Sequence, residues 1–109
     1  MQLDIQRGAV HLTPEMEEYI RERADFLLAF HREILACRVS LNGPVLQYGA
    51  GGAYQVHIDL HIPGAILNAS HEQANDLRTA IRLAFEAARR RLVGHVRSER
   101  DLRRTPVGA

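Results

Sequence analysis

Between Asp76 and Leu92 the chain reads DLRTAIRLAFEAARRRL, and the arginines of this stretch carry its clearest chemistry. A guanidinium is planar, permanently charged and matches a phosphate bidentately through a fork of N–H donors. At ~100° per residue, Arg78, Arg82 and Arg89 fall in a stripe only ~40° wide. That stripe flanks an apolar arc of Leu77, Ala80, Ile81, Ala84, Phe85, Ala88 and Leu92. Arg90 lies further round. Arg91 sits at the margin of the arc, where its stem can snorkel. Such a helix, backed onto a sheet, holds cations toward a polyanion, with RNA as the first candidate. The competing reading is a solvated face, with Arg82–Glu86 and Glu86–Arg90 as ordinary i,i+4 pairs. Spacing alone leaves both open.

The distribution of charge bears on that choice more than the sum. The net charge is only +1, which is weak for a nucleic-acid binder. Residues 1–54 hold five arginines against seven carboxylates, whereas residues 55–109 hold nine against six. From Arg78 to Arg104 there are nine arginines and only Glu86, Glu99 and Asp101. The positive charge is thus polarised toward the last helix and tail. There is no lysine. This fits either selection for bidentate contacts or a coding bias toward arginine. Arginine also fills positions where any cation would serve, which favours the bias.

Other candidates for chemistry are weaker. His57, Asp59 and His61 share one face of one strand and resemble a metal site. Adjacent ligands would stand ~6.5–7 Å apart along a strand, and no further ligand is marked elsewhere. A polar sheet face, open to a partner, is the better reading. His31, His71 and His95 are isolated and read as surface residues. Gly49, Gly51 and Gly52 follow no strand-to-helix nucleotide pattern, and no nucleophile elbow or zinc signature occurs. Cys37 alternates inward and reads as core. No enzyme activity, metal or cofactor is expected.

The elements that must position the arginines are legible. Alternating Leu3 and Ile5 predict a strand over 2–6, ended by Gly8. Thr13-Pro14-Glu15 is a helix start, with an N-cap, a proline at the first helical position and acids in the first turn. Met16, Tyr19, Ile20, Ala24, Leu27 and Phe30 carry that helix to about His31. Cys37, Val39 and Leu41 predict a strand over 36–42, and residues 43–52 read as a glycine-rich mobile loop. Val56, Ile58, Leu60 and Ile62 alternate in a third strand, 54–62. Pro63-Gly64 turns into a fourth, 65–70. The last helix begins near Asp76, with Gly94 weakening or ending it and a flexible tail over 98–109. The order β-α-β-β-β-α implies an α+β fold. The first two strands are parallel, the next connections are hairpins, and both helices cover one face of a four-stranded sheet. The 109 residues make one domain, 1–97, followed by the tail. No apolar run reaches the ~18–20 residues of a membrane span. No secretory signal is visible, and the lone cysteine fits a reducing compartment. The expected location is cytoplasmic.

The chain resembles the ribosome hibernation-promoting factor family, which includes the ribosome-associated inhibitor called protein Y. The resemblance spans residues 1–97 and rests on LTPEMEEYIRERADFL with FHREI, then CRVSL, YQVHIDLHIPG and, most specifically, DLRTAIRLAFEAARRRL. It implies a fold like a double-stranded-RNA-binding domain with an added first strand. It also implies a non-catalytic protein that binds the small ribosomal subunit and its rRNA. Members of the family lodge in the decoding channel, across the mRNA and tRNA positions, and silence idle ribosomes in stress or stationary phase. Carried over, it assigns RNA contact to Arg78, Arg82, Arg89, Arg90 and Arg97, and to Arg23 on the first helix. No membrane or DNA partner is implied.

Three features depart from the family pattern. The first helix is acidic, with Glu15, Glu17, Glu18, Glu22 and Asp25 against Arg21 and Arg23. Val93, Gly94 and Val96 stand where relatives carry more charge. The sequence has no counterpart of the C-terminal domain with which long members pair ribosomes, so dimerisation of ribosomes is not implied. The alternative function is a protein-interaction module using the open sheet face of His57, Asp59 and His61, with Val45, Leu46 and Tyr48 in the adjoining loop.

Overall fold

The structure, a computed structural model, describes the backbone of residues 1–47 and 50–104, and side chains over 1–44, 52–70 and 74–100. Its elements are β1 (Gln2–Gln6), α1 (Pro14–Leu27), β2 (Ala36–Gln47), β3 (Ala50–Ile62), β4 (Ala65–Ala74) and α2 (Leu77–Arg104). The four strands form one sheet in the order β1-β2-β3-β4. β1 runs parallel to β2, with Leu3 opposite Cys37 and Ile5 opposite Val39. β2–β3 and β3–β4 are antiparallel. This is the expected α+β arrangement.

Alternation decides which face is buried. Cys37, Val39, Leu41, Val56, Ile58, Leu60, Ile62, Leu67 and Ala69 point to one side and are buried there. Ile20, Ala24 and Leu27 of α1 and Ala80, Ile81, Ala84, Phe85, Ala88 and Leu92 of α2 join the same cluster. The alanines let α2 lie close to the sheet, while each fully buried Ile or Leu contributes roughly 1.5–3 kcal/mol. Cys37 is part of this core, and burial, with Asp59 nearby, pushes its thiol up to about 12. The thiol is therefore protonated near neutral pH, and Cys37 packs as a small apolar side chain.

The helix starts follow local chemistry. The Met16 N–H donates to Thr13 Oγ1 at 3.2 Å, and Pro14 occupies the first turn of α1. Asp76 caps α2: one carboxylate oxygen accepts from both the Thr79 N–H and the Thr79 hydroxyl, each at 2.9 Å. These bonds, helped by Arg78, hold the Asp76 carboxyl below its ordinary value. Because the folded state prefers the ionised form, this stabilisation is present above the ordinary carboxylate pKa. It is lost as pH falls through the lowered value. Asp76→Ala is therefore expected to lower the melting temperature at pH 7 and to have little effect in strong acid, as read by circular dichroism melts at the two pH values.

Four boundaries differ from the sequence reading. α1 ends at Leu27 rather than His31, because the chain tightens into i→i+3 bonds, Leu28 to Asp25 and Ala29 to Phe26, each 3.1 Å. Residues 43–52 are not one loop: β2 and β3 continue as a hairpin, pairing Val45 with Ala53 and Gln47 with Ala50. The glycine and proline that signalled a loop instead absorb a register shift between Asn42 and Val45. Gly43 takes φ +122, and a Cβ there would meet the Ala53 carbonyl oxygen at 2.7 Å, so only glycine fits. Tyr48, placed in that loop by sequence, and the side chains of Val45 and Leu46 lie outside the described residues. β4 runs to Ala74 rather than Ser70, because the longer β3 offers Tyr54 as partner to Ala74. α2 passes through Gly94 without interruption. Beyond Leu92, His95 and Glu99 pair at 2.8 Å along one flank of the helix, while Val93 and Val96 line a recess with Ala29 and Phe30 on another.

Candidate nucleic-acid interface

α1 and α2 lie side by side on the sheet and run in the same direction, since Tyr19 meets Arg78 at one end and Phe30 meets Arg89 at the other. Their facing flanks build a groove on the surface away from the sheet. Arg23, Arg82 and Arg89 line its middle, together with Phe26 and Glu86, around a cleft of about 110 Å³. The narrow stripe of Arg78, Arg82 and Arg89 expected from spacing is thus one wall of a real groove, and Arg23 stands on the other.

Aromatic rings fix where these cations sit. The Arg78 guanidinium lies 4.3 Å from the Tyr19 ring centre, and Arg23 lies 5.2 Å from Phe26 and 5.9 Å from Tyr19. Arg89 is 5.9 Å from Phe30. Each such contact contributes ~0.5–1 kcal/mol at an exposed site and limits the rotamers of a long side chain. Arg82 pairs with Glu86 at 3.1 Å. Among the described residues, Arg23, Arg78, Arg89 and Arg90 have no carboxylate oxygen within 4.0 Å. Their charge is available to an incoming anion without first breaking an ion pair.

The remaining site residues lie outside the central cleft. Arg90 points to the opposite flank of α2, where it lines a wider recess of about 520 Å³ with Arg91, His95 and Leu67 of β4. Arg91 is exposed there. Arg97 extends the groove beyond the end of α1, beside Phe30, Val96 and Arg100, in a recess of about 270 Å³. Three of the five acids of the first helix gather at one end of this surface. Glu15, Glu18 and Glu22 surround Tyr19 and Arg78 near the helix N-termini. The arginines dominate toward the C-terminal half of α2. Both placements suit the helix dipoles, which favour anions at N-termini and cations at C-termini.

Sequence reasoning missed Phe26, which is 48% exposed on the groove wall. Its spacing held a signal: Arg23 and Phe26 are three apart on α1, which puts them on one face of the helix, and Phe30 follows four residues later in the turn that ends it. Arg100 was also missed as a groove residue.

The open sheet face looks different. Arg38 pairs with Asp4 at 3.4 Å, and His57 with Asp59 at 2.9 Å, so its charges are satisfied locally. Among the described residues no cluster of three or more metal-ligating side chains is assembled. None of the helices described is long and apolar enough to cross a membrane.

The family model described as sigma 54 modulation protein / S30EA ribosomal protein matches residues 3–100. The chain belongs to this family. Two solved structures share its fold. A ribosomal subunit interface protein from Coxiella burnetii matches with a TM-score of 0.73 at 16% identity, covering 87% of this chain and 97% of the other. The N-terminal domain of Protein Y from Thermus thermophilus matches with a TM-score of 0.71 at 19% identity, covering 87% and 99%. No curated protein matches the chain. The β-α-β-β-β-α order and the paired helices are therefore those of an S30EA fold.

Proposed function

We propose that this protein is a non-catalytic ribosome-associated factor. In this reading it binds small-subunit rRNA in the decoding channel and silences translation during stress or stationary phase in the cytoplasm. The observation that carries the reading is an arginine-lined groove in a chain of the S30EA family, in which Arg23 and Arg89 form no ion pair among the described residues. Family membership supplies the ribosome as partner, and the arginines supply the means of holding it. Arg23, Arg78, Arg82, Arg89, Arg90 and Arg97 would meet phosphates. Such contacts position the protein but read little sequence, so recognition would come from the shape of the channel. Silencing needs no chemistry, because a rigid wedge across the mRNA and tRNA path excludes both.

Occlusion makes a direct prediction. In a purified translation system, peptide synthesis is expected to fall in proportion to protein added, up to about one per ribosome. Small subunits preloaded with mRNA and initiator tRNA are expected to refuse the protein. Equal binding to preloaded and empty subunits would contradict occlusion.

A further inference from the structure

We propose that the cleft between α1 and α2 holds one unpaired RNA nucleotide, its base stacked on Phe26 and its flanking phosphates on Arg23 and Arg89. This deepens the rRNA reading above and rests on it.

Among the described residues, Phe26 is one of four large hydrophobic side chains left exposed, with Met1, Leu35 and Ile66. It alone lines a cleft with arginines, Arg23 on its own helix and Arg82 and Arg89 across the groove. The ring is also pre-oriented. Phe30 meets it edge-on, with centroids 5.4 Å apart and planes at 74°, and the Arg23 guanidinium lies 5.2 Å from its centre. Stacking on a ring already held costs little conformational entropy.

The occupant follows from charge and shape together. Among the described residues, the one carboxylate lining the cleft, Glu86, is engaged by Arg82 at 3.1 Å. Arg23 and Arg89 retain their charge, so an apolar peptide would cover cations without neutralising them. An acidic peptide would neutralise them but leave the ring uncovered. A nucleotide satisfies both, because every base has a π-face and every linkage a phosphate. The base must be unpaired, since bases inside a duplex are already stacked on both sides.

The chain contains no tryptophan, so Phe26→Trp installs a single fluorophore in the cleft. The probes are a short oligoadenylate and an RNA duplex of the same length. The oligoadenylate is expected to quench the tryptophan emission, and the duplex to leave it unchanged. Phe26→Leu, which keeps an apolar side chain without a ring, is expected to bind the oligoadenylate roughly 5- to 150-fold more weakly. Its salt dependence should be unchanged, because every arginine–phosphate pair is kept. Unquenched emission with the single strand, or equal affinity of the Leu variant, would overturn the inference. So would tighter binding and stronger quenching by polyglutamate, which would assign the cleft to an acidic peptide. Co-sedimentation with small subunits separates the two levels. If wild-type protein binds subunits while the Phe26→Trp variant shows no quenching, only this nucleotide site is lost, whereas wild-type protein that binds neither subunits nor the oligoadenylate loses the rRNA reading as well.

Discussion

Changing Arg82, Arg89 and Arg90 together to glutamate is expected to weaken binding to small ribosomal subunits by about 10³-fold near 0.1 M salt. A hydrogen bond to a charged group contributes ~1.5–3 kcal/mol net, so three arginine–phosphate contacts amount to at least ~4.5 kcal/mol. That is slightly more than three decades in affinity. The salt dependence should flatten as well, by ~0.7–0.9 log units per log unit of salt for each phosphate no longer neutralised. Folding should survive. Arg82 and Arg90 are exposed and Arg89 is half-buried. The one ion pair removed, Arg82 to Glu86, has side chains 49% and 43% exposed. Such pairs contribute ~0–1 kcal/mol. Unchanged far-ultraviolet circular dichroism beside the loss of binding would separate recognition from stability. A variant that binds as tightly as wild type would remove the last helix from the interface.

Ile58→Ala is expected to be the most damaging of the conservative core changes. Ile58 is fully buried on β3, with Val39 of β2 and Ala69 of β4 directly opposite it in register. Truncation removes transfer free energy and leaves a cavity that strands paired on both sides cannot collapse, at a cost of about 3–4 kcal/mol. A domain of this size has ~5–15 kcal/mol in total. The melting temperature should therefore fall by roughly 15 °C. The neighbouring change His57→Ala is the control. That side chain lies on the open face of the same strand, 48% exposed, and its contact with Asp59 is a surface pair. Its removal should cost no more than ~1 kcal/mol. Comparable destabilisation by the two variants, measured by urea denaturation, would contradict the one-sided burial of the sheet.

Where structure is decided locally, the sequence shows it. The Thr13-Pro14 start of α1 and the start of α2 beside Asp76 rest on residues within three positions of each other, and both helices begin where the sequence places them; the structure adds that Asp76 is the cap. The alternation at Val56, Ile58, Leu60 and Ile62 identifies the buried face of β3, since one face of a sheet must be apolar if helices cover it. The hairpin at 43–52 is illegible for the opposite reason. Its pairing comes from strands meeting across the sheet, and a glycine that accommodates a bulge looks the same in sequence as one that opens a loop. Gly94 likewise weakens a helix by propensity alone, yet the residues on either side continue it.

The site shows the same division. Helical spacing places Arg78, Arg82 and Arg89 on one stripe, and the structure adds what spacing could not: the stripe faces α1. Phe26 is hard to single out in sequence because it is an ordinary core residue type at a position facing a neighbouring helix. Only the packing of that helix shows the ring to be half exposed among cations. In sequence the acidic first helix reads as weakening half of the expected basic surface. In the fold Glu15, Glu18 and Glu22 gather around Arg78, and no acid of α1 lines the recess of Arg97 and Arg100 among the described residues.

The most direct test of the central claim is co-sedimentation of the purified wild-type protein with small subunits and whole ribosomes over a salt series. The account predicts saturable binding near one protein per small subunit, weakening steeply as salt rises. Absence of binding at low salt, from protein shown to be folded, would contradict it and direct the search to a protein partner on the open sheet face.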